Sequence, residues 1–210
     1  MTWKPCEDLE PLRPAPPVNA WFYDPFTTLV GTVWKRHGRL GGNSYILDGR
    51  LTIRKDGGMQ TGGLWRVDPR GGISPFRFSV RMNIQNPGMI FTISFFGSEA
   101  IMAITWRTPN LIYIEGTGPC GAISIPDYFA TDIIWTAVCF GTEISLFMDG
   151  QLLCGVHTCP RSYVYGNMVL TIATASKPGR VRISDFAIED LGRNTYAEWK
   201  ERGVLSPQPP

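Results

Sequence analysis

Apolar positions along the middle of the chain recur at every second residue. Phe76, Phe78, Val80, Met82 and Ile84 alternate with Arg77, Ser79, Arg81, Asn83 and Gln85, the period of a strand with one dry and one wet face. Residues 45–48 and 50–54 flank Asp48-Gly49, a strong hairpin turn. Residues 89–96, 100–107 and 111–115 predict further strands. Residues 133–156 predict a three-stranded meander turned by Gly141-Thr142 and Asp149-Gly150. Two-residue loops then set Cys139 opposite Ile144, Ala137 opposite Leu146 and Trp135 opposite Met148, all on one face. On the other face Ser145 meets Cys154 and Phe147 meets Leu152. A slip of one residue would exchange the faces. Residues 167–175 and 180–190 predict a last pair. Val181 and Ile183 alternate, then Phe186 and Ile188, and the parity break at Ser184-Asp185 predicts a bulge. Thr195-Tyr196-Ala197-Glu198 has the capping-box pattern and Gly203 can stop a helix, so one short C-terminal helix is expected.

About a dozen short strands, glycine-rich turns and almost no helix predict an all-β fold, a two-sheet sandwich or a barrel. Several strands are apolar on both faces and need a second sheet, an arm or a partner to cover them. Residues 1–25 hold six prolines and read as an extended N-terminal arm. Residues 26–190 are the sandwich. Residues 191–210 carry the helix and a tail ending Ser206-Pro207-Gln208-Pro209-Pro210.

The 210 residues are enough to bury about 70% of the chain's surface without staples. Hydrophobic residues are 43% and charged residues 18%, which argues against a helical bundle or a disordered chain. A net charge of +2 argues against a nucleic-acid binder. No apolar run reaches the ~18 residues of a membrane span, and the first residues lack the apolar core of a secretory signal. Cysteines 6, 120, 139, 154 and 159 are odd in number without CxxC spacing and read as free thiols.

Certain residues carry a resemblance. Trp135-Thr136-Ala137-Val138 followed by Ile144-Ser145-Leu146-Phe147-Met148-Asp149-Gly150 resembles the strand–strand–turn signature of laminin G-like domains. Gly179-Arg180-Val181-Arg182-Ile183-Ser184-Asp185-Phe186 resembles the closing strand of the concanavalin A-like lectin/glucanase superfamily, and Asp48-Gly49-Arg50-Leu51-Thr52-Ile53 is similar to an early hairpin of that fold. The resemblance spans roughly residues 26–190. It implies a jelly roll that hosts lectins, hydrolases, adhesion modules and virion proteins.

The resemblance raises glycan chemistry. Retaining hydrolysis needs two carboxyl groups about 5 Å apart. Glucanases of the superfamily place acidic residues at alternate positions of one strand. The only Asp/Glu pair at i, i+2 is Asp8/Glu10, in the proline-rich arm, so no catalytic residue is assigned. A pair built across strands from Glu99 and Glu115 is the remaining route. Glycan binding needs exposed aromatic planes beside polar groups. Trp65 with Arg66, and Trp106 with Arg107, are the candidates, whereas Trp135 falls on the core face. Cys154, His157 and Cys159 lack a fourth ligand for structural zinc, and no Asp/Asn cluster suits calcium, so neither a metal nor a cofactor is expected. No Gly-x-Ser-x-Gly elbow and no P-loop occur. Gly57-Gly58, Gly62-Gly63 and Gly71-Gly72 read as turns. Arg77, Arg81, Arg180 and Arg182 sit on polar strand faces that keep the sheet soluble.

Two functional expectations follow. The first is a non-enzymatic structural or adhesion subunit of a large particle, a phage or viral capsid-decoration or tail protein at the virion surface. Its partners would be other subunits, with homo-oligomer formation and contact with surface glycans, and neither nucleic acid nor a membrane span. The motives are a fold that mostly works outside cells, the absent signal and the proline-rich arms. The second is a free-standing carbohydrate-binding module, with a glycoside hydrolase as a distant third.

Overall fold

A computed structural model describes residues 20–192, apart from 39–42, 57–61, 68–74, 97–100, 116–122, 141–142, 159–166, 174–177 and residues 32, 87 and 129. The fold is all-β, two antiparallel sheets packed face to face. One sheet has the order β13 (Gln151–Thr158), β12 (Glu143–Met148), β11 (Ile133–Phe140), β6 (Phe76–Ile84), β15 (Gly179–Asp190), β4 (Arg50–Lys55) and β3 (Ser44–Leu47). An eighth strand, β1 (Ala20–Asp24), also pairs with β15. The seven-stranded sheet runs β10 (Ile123–Ser124), β9 (Leu111–Glu115), β8 (Ile101–Arg107), β7 (Ile90–Phe96), β14 (Asn167–Ala173), β5 (Gly62–Val67) and β2 (Lys35–His37).

The alternation in residues 76–84 gives strict burial of every second residue on β6. Asp48-Gly49 and Asp149-Gly150 all take positive φ, as a two-residue hairpin turn requires. The pairs Cys139–Ile144, Ala137–Leu146 and Trp135–Met148 form as the turn spacing predicts. Phe147 also pairs with Leu152, but β12 shifts register against β13, so Cys154 stands opposite Leu146 rather than Ser145. Two extra residues on β13 make two successive bulges there. Cys139 is buried, and burial pushes its thiol pKa up, which keeps it a protonated, inert side chain.

The bulge expected at Ser184-Asp185 divides β15 in two. Residues 179–183 pair with β4, and residues 186–189 pair with β1. β1 therefore makes a strand of residues 20–24, within the stretch read as an arm. Its proline-free Ala20-Trp21-Phe22-Tyr23 run packs Phe22 at 6.0 Å from Trp34 and 6.4 Å from Phe186. Asp24 fixes its end by accepting hydrogen bonds from Trp34 Nε1 (2.6 Å) and from the Phe26 N–H (2.7 Å). The Gly62-Gly63 pair also departs from expectation: it opens β5 instead of turning the chain. The arm before residue 20 and the C-terminal helix and tail lie outside the described residues.

The core fills the space between the sheets with aromatic rings. Phe78 stacks nearly parallel to Phe186 at 6.0 Å and meets Phe95 of the facing sheet at 4.8 Å. Trp106 and Trp135 meet edge to face at 5.6 Å, also across the sheets. This ring-to-ring contact supplies both buried area and orientational preference.

Candidate functional site

Strand parity divides the seven-stranded sheet into a core face and an outer face. Leu64, Phe91, Ile93, Phe95, Ile104, Trp106, Ile112 and Ile114 belong to the core. Their neighbours in sequence point the other way. Pairing then lines those neighbours up in rows across the outer face. One row runs Lys35, Trp65, Val169, Ser94, Ala103 and Glu115. The next runs His37, Gly63, Thr171, Thr92, Thr105 and Tyr113.

These rows are hydroxyl-rich and low in relief. Thr92 and Thr105 share a hydrogen bond at 3.1 Å between their Oγ1 atoms. Gly63 and Ala103 contribute no side chain or only a methyl group to this face. The ammonium of Lys35 lies 5.1 Å from the centre of the Trp65 ring, a cation–π contact that holds the indole in place beside the floor. A planar ring beside a strip of hydroxyls forms a surface that a sugar ring can lie on.

The four residues singled out from sequence separate into two pairs. Trp65 is half-buried on the outer face. Arg66, adjacent on the strand, points the opposite way, and its guanidinium lies 3.7 Å above the Phe22 ring at the core margin. Trp106 is fully buried between Phe91 and Trp135. It offers no surface for stacking, and its candidacy is withdrawn. Arg107 is exposed on the outer face, four positions along β8 from Ala103 and thus about 13 Å from the Trp65 row. Reading Trp-Arg neighbours as one unit failed because adjacent strand residues occupy opposite faces. Tyr113, Thr92 and Thr105 were missed, although the hydrophobic parity of β7 could have flagged Thr92.

Carboxylates are sparse on this sheet. Glu115 is the only Asp or Glu within its seven strand segments, at the register position opposite Ala103. Glu99 and the Asp8/Glu10 pair lie outside the described residues. Among the described residues no group of three His, Cys, Asp or Glu could hold a metal ion, and no helix is long and apolar enough to cross a membrane.

Solved structures share this architecture. Bacillus licheniformis β-glucanase superposes with a TM-score of 0.65 at 12% identity, over 80% of this chain and 97% of that one. The laminarinase catalytic domain from Thermotoga maritima gives 0.64 at 13% identity, over 83% and 98%. The endo-β-1,3-glucanase from Pyrococcus furiosus gives 0.64 at 14% identity, over 81% and 94%. No protein-family model matches the chain, and no curated protein matches it. The fold is thus the concanavalin A-like jelly roll. The expectation of a non-enzymatic capsid or tail subunit is corrected by these neighbours, which are catalytic domains of glucanases and laminarinases that overlap this chain over nearly their whole length. That expectation leaned on the arms and the absent signal, features of the chain ends that carry no information about the chemistry of the sandwich.

Proposed function

We propose that this protein is a carbohydrate-active enzyme that lays a polysaccharide across the outer face of the seven-stranded sheet and cleaves glycosidic bonds. The observation that carries the reading is the outer-face pair of rows, in which Trp65, Ser94, Thr92, Thr105 and Tyr113 align between Lys35 and Glu115. The glucanase and laminarinase neighbours support it through the shared fold. Trp65 stacks on one sugar ring, and the threonine and tyrosine hydroxyls satisfy its hydroxyl groups. Glu115, as the acidic residue of the outer-face register, supplies one carboxyl group. Cleavage needs a second, one protonating the departing glycosidic oxygen and the other attacking the anomeric carbon or activating water. Glu99, in the connection between β7 and β8, is the candidate for that partner.

The test measures reducing ends released from laminarin, mixed-linkage β-glucan and mucin O-glycans, alongside calorimetric binding. At least one substrate is expected to be cleaved. Glu115→Gln should cut turnover by on the order of a thousandfold or more, with binding nearly intact. Trp65→Ala should weaken binding about tenfold. Absence of both cleavage and saturable binding on all three substrates would overturn the reading. Binding without cleavage would refute hydrolysis and leave the face as a recognition surface.

A further inference from the structure

The two outer faces of the sandwich differ in what their basic side chains touch. On the eight-stranded sheet, Arg50, Arg54, Arg77, Arg81 and Arg182 each stand within ion-pair distance of a carboxylate. Among the described residues only Arg180 of that face does not. On the seven-stranded sheet, Lys35, His37 and Arg107 reach no carboxylate among the described residues, and Lys35 touches only the Trp65 ring. All three are exposed, and all three point outward. Lys35 and His37 pair in register with Trp65 and Gly63. Arg107 follows Trp106, whose side chain belongs to the core, so it takes the opposite face. Arg36, between the first two, points the other way and donates from Nη2 to the Ser44 carbonyl at 3.1 Å.

These three residues frame the hydroxyl strip. Lys35 and His37 close its β2 end, one strand spacing of about 4.8 Å from Trp65 and Gly63. Arg107 flanks its long side, two residues and about 7 Å along β8 from Thr105. Against them stands Glu115, at the register position opposite Ala103, and the other six strands of the sheet contain no acidic residue. An exposed lysine on an edge strand can serve only to discourage strand pairing. That explanation does not reach Arg107, which stands on β8 between β7 and β9, where no edge needs guarding.

We infer that the glycan face selects an acidic polysaccharide, one whose sugars carry carboxylate or sulfate groups, with Lys35 and Arg107 as specificity-determining contacts. The inference rests on the proposed glycan face and adds the charge of its substrate. The neutral strip takes the sugar rings, and substituents that reach past the rings meet the basic groups at its border. A sugar over Trp65 brings such a group to the Lys35 ammonium and the His37 imidazole. A sugar over Thr105 brings one to the Arg107 guanidinium, whose planar fork matches a carboxylate and forms the stronger, charge-assisted type of hydrogen bond. No ion pair has to be broken before these groups bind. An arginine of the opposite face, such as Arg77 on Glu189, would first have to leave its carboxylate. Charge complementarity of this kind sets selectivity more than total affinity.

The test compares three ligands built on one backbone: laminarin, laminarin sulfate, and laminarin oxidised at C6 to carboxylates. Their affinities for the full chain are measured by calorimetry at low salt. Both acidic derivatives are expected to bind about three- to tenfold more tightly than laminarin. Sodium chloride at about 1 M, where the Debye length is about 3 Å, should remove most of that advantage. In the double variant Lys35→Gln/Arg107→Gln the three ligands should bind about equally, with the melting temperature little changed because both side chains are exposed. Arg180→Gln removes an unpaired cation from the opposite face and should leave the advantage intact. The sulfated and carboxylated arms show which group the border prefers, and an advantage for either one supports the inference. Equal binding of neutral and acidic ligands by the wild type would overturn it and leave the glycan face standing. An acidic advantage that survives the double variant, or that falls equally in Arg180→Gln, would overturn it as well. So would no binding of any of the three ligands, and the panel of laminarin, mixed-linkage β-glucan and mucin O-glycans then shows whether the glycan face fails with it.

Discussion

On the outer face of the eight-stranded sheet, Arg77 is bound to Glu189 through two short contacts, Arg182 to Asp48 at 3.0 Å and Arg50 to Asp132 at 2.7 Å. On the outer face of the seven-stranded sheet the described central positions are Ser94, Thr92, Thr105, Ala103 and Tyr113, with charge only at the margins. The first face spends its charges on cross-strand neighbours and has few to offer a ligand. The second is nearly neutral at its centre, so sugar rings can displace its water there without stripping ions. Under the proposed function, arginine on an exposed strand is a poor guide to the binding face, and threonine in the middle of a sheet is a better one.

The largest effect separates the two tryptophans that looked alike in the sequence. Trp106→Ala empties a fully buried site and should cost about 3–5 kcal/mol in urea denaturation, whereas Trp65→Ala should cost about 1 kcal/mol or less while binding suffers. A similar loss from both would erase the distinction between core and outer face. Next comes the paired face. Arg77→Met leaves Glu189, only 6% exposed, as a buried carboxylate without its main partner. That should destabilise by about 2–3 kcal/mol, most of it restored when Glu189→Gln is added. A double variant no better than the single one would show that the pair is not the stabilising unit.

The bulge at Ser184 predicts a smaller, pH-dependent effect. Just past the register shift, Asp185 is the direct partner of Arg81 and stands 3.6 Å from it, at ion-pair but not hydrogen-bond distance. Burial raises its pKa above the ordinary aspartate range, against the pull of Arg81 and Arg50. The folded state then holds the proton more tightly than the unfolded chain. Asp185 contributes relative stability at acid pH that is lost as pH rises through its folded pKa. Asp185→Asn should therefore raise the urea midpoint at neutral pH and leave it little changed in acid.

Asp132 gives the opposite sign. Burial pushes its carboxyl up, but the Arg50 hydrogen bond and charge, helped by Asn83 and Arg81, outweigh burial and hold it below the ordinary range. Its stabilisation is present above the ordinary aspartate range and is lost as pH falls through its lowered pKa. Asp132→Asn should lower the stability at neutral pH by about 1 kcal/mol or less, the modest size of a partly exposed pair. Opposite signs at the two aspartates would confirm that geometry, not charge count, sets the energetics of this face; equal signs would refute it.

Much of the framework was legible in the sequence because turn chemistry and parity agree there. Asp149-Gly150 fixes where the chain reverses, and Trp135, Ala137 and Cys139 then have one possible set of partners. The elements that escaped notice lack one of the two signals. β5 opens on two glycines, which speak for a turn when no neighbour is known. β1 follows a proline-dense stretch, and β2 is three residues long. The site was less legible for a different reason. β8 reads Ile101-Met102-Ala103-Ile104-Thr105-Trp106, apolar on both parities, so nothing local decides whether Trp106 or Thr105 faces the second sheet.

The short strands that end the seven-stranded sheet have a consequence for behaviour in concentrated solution. One border is a two-residue ladder at Ile123-Ser124, and the other is Lys35-Arg36-His37, exposed throughout. Neither gives a second copy a long flat backbone to extend, and the basic border repels its own kind. The sheet thereby resists fibril growth by strand addition, which lets the chain keep a broad, almost uncharged face open to water without that face becoming a seed for aggregation.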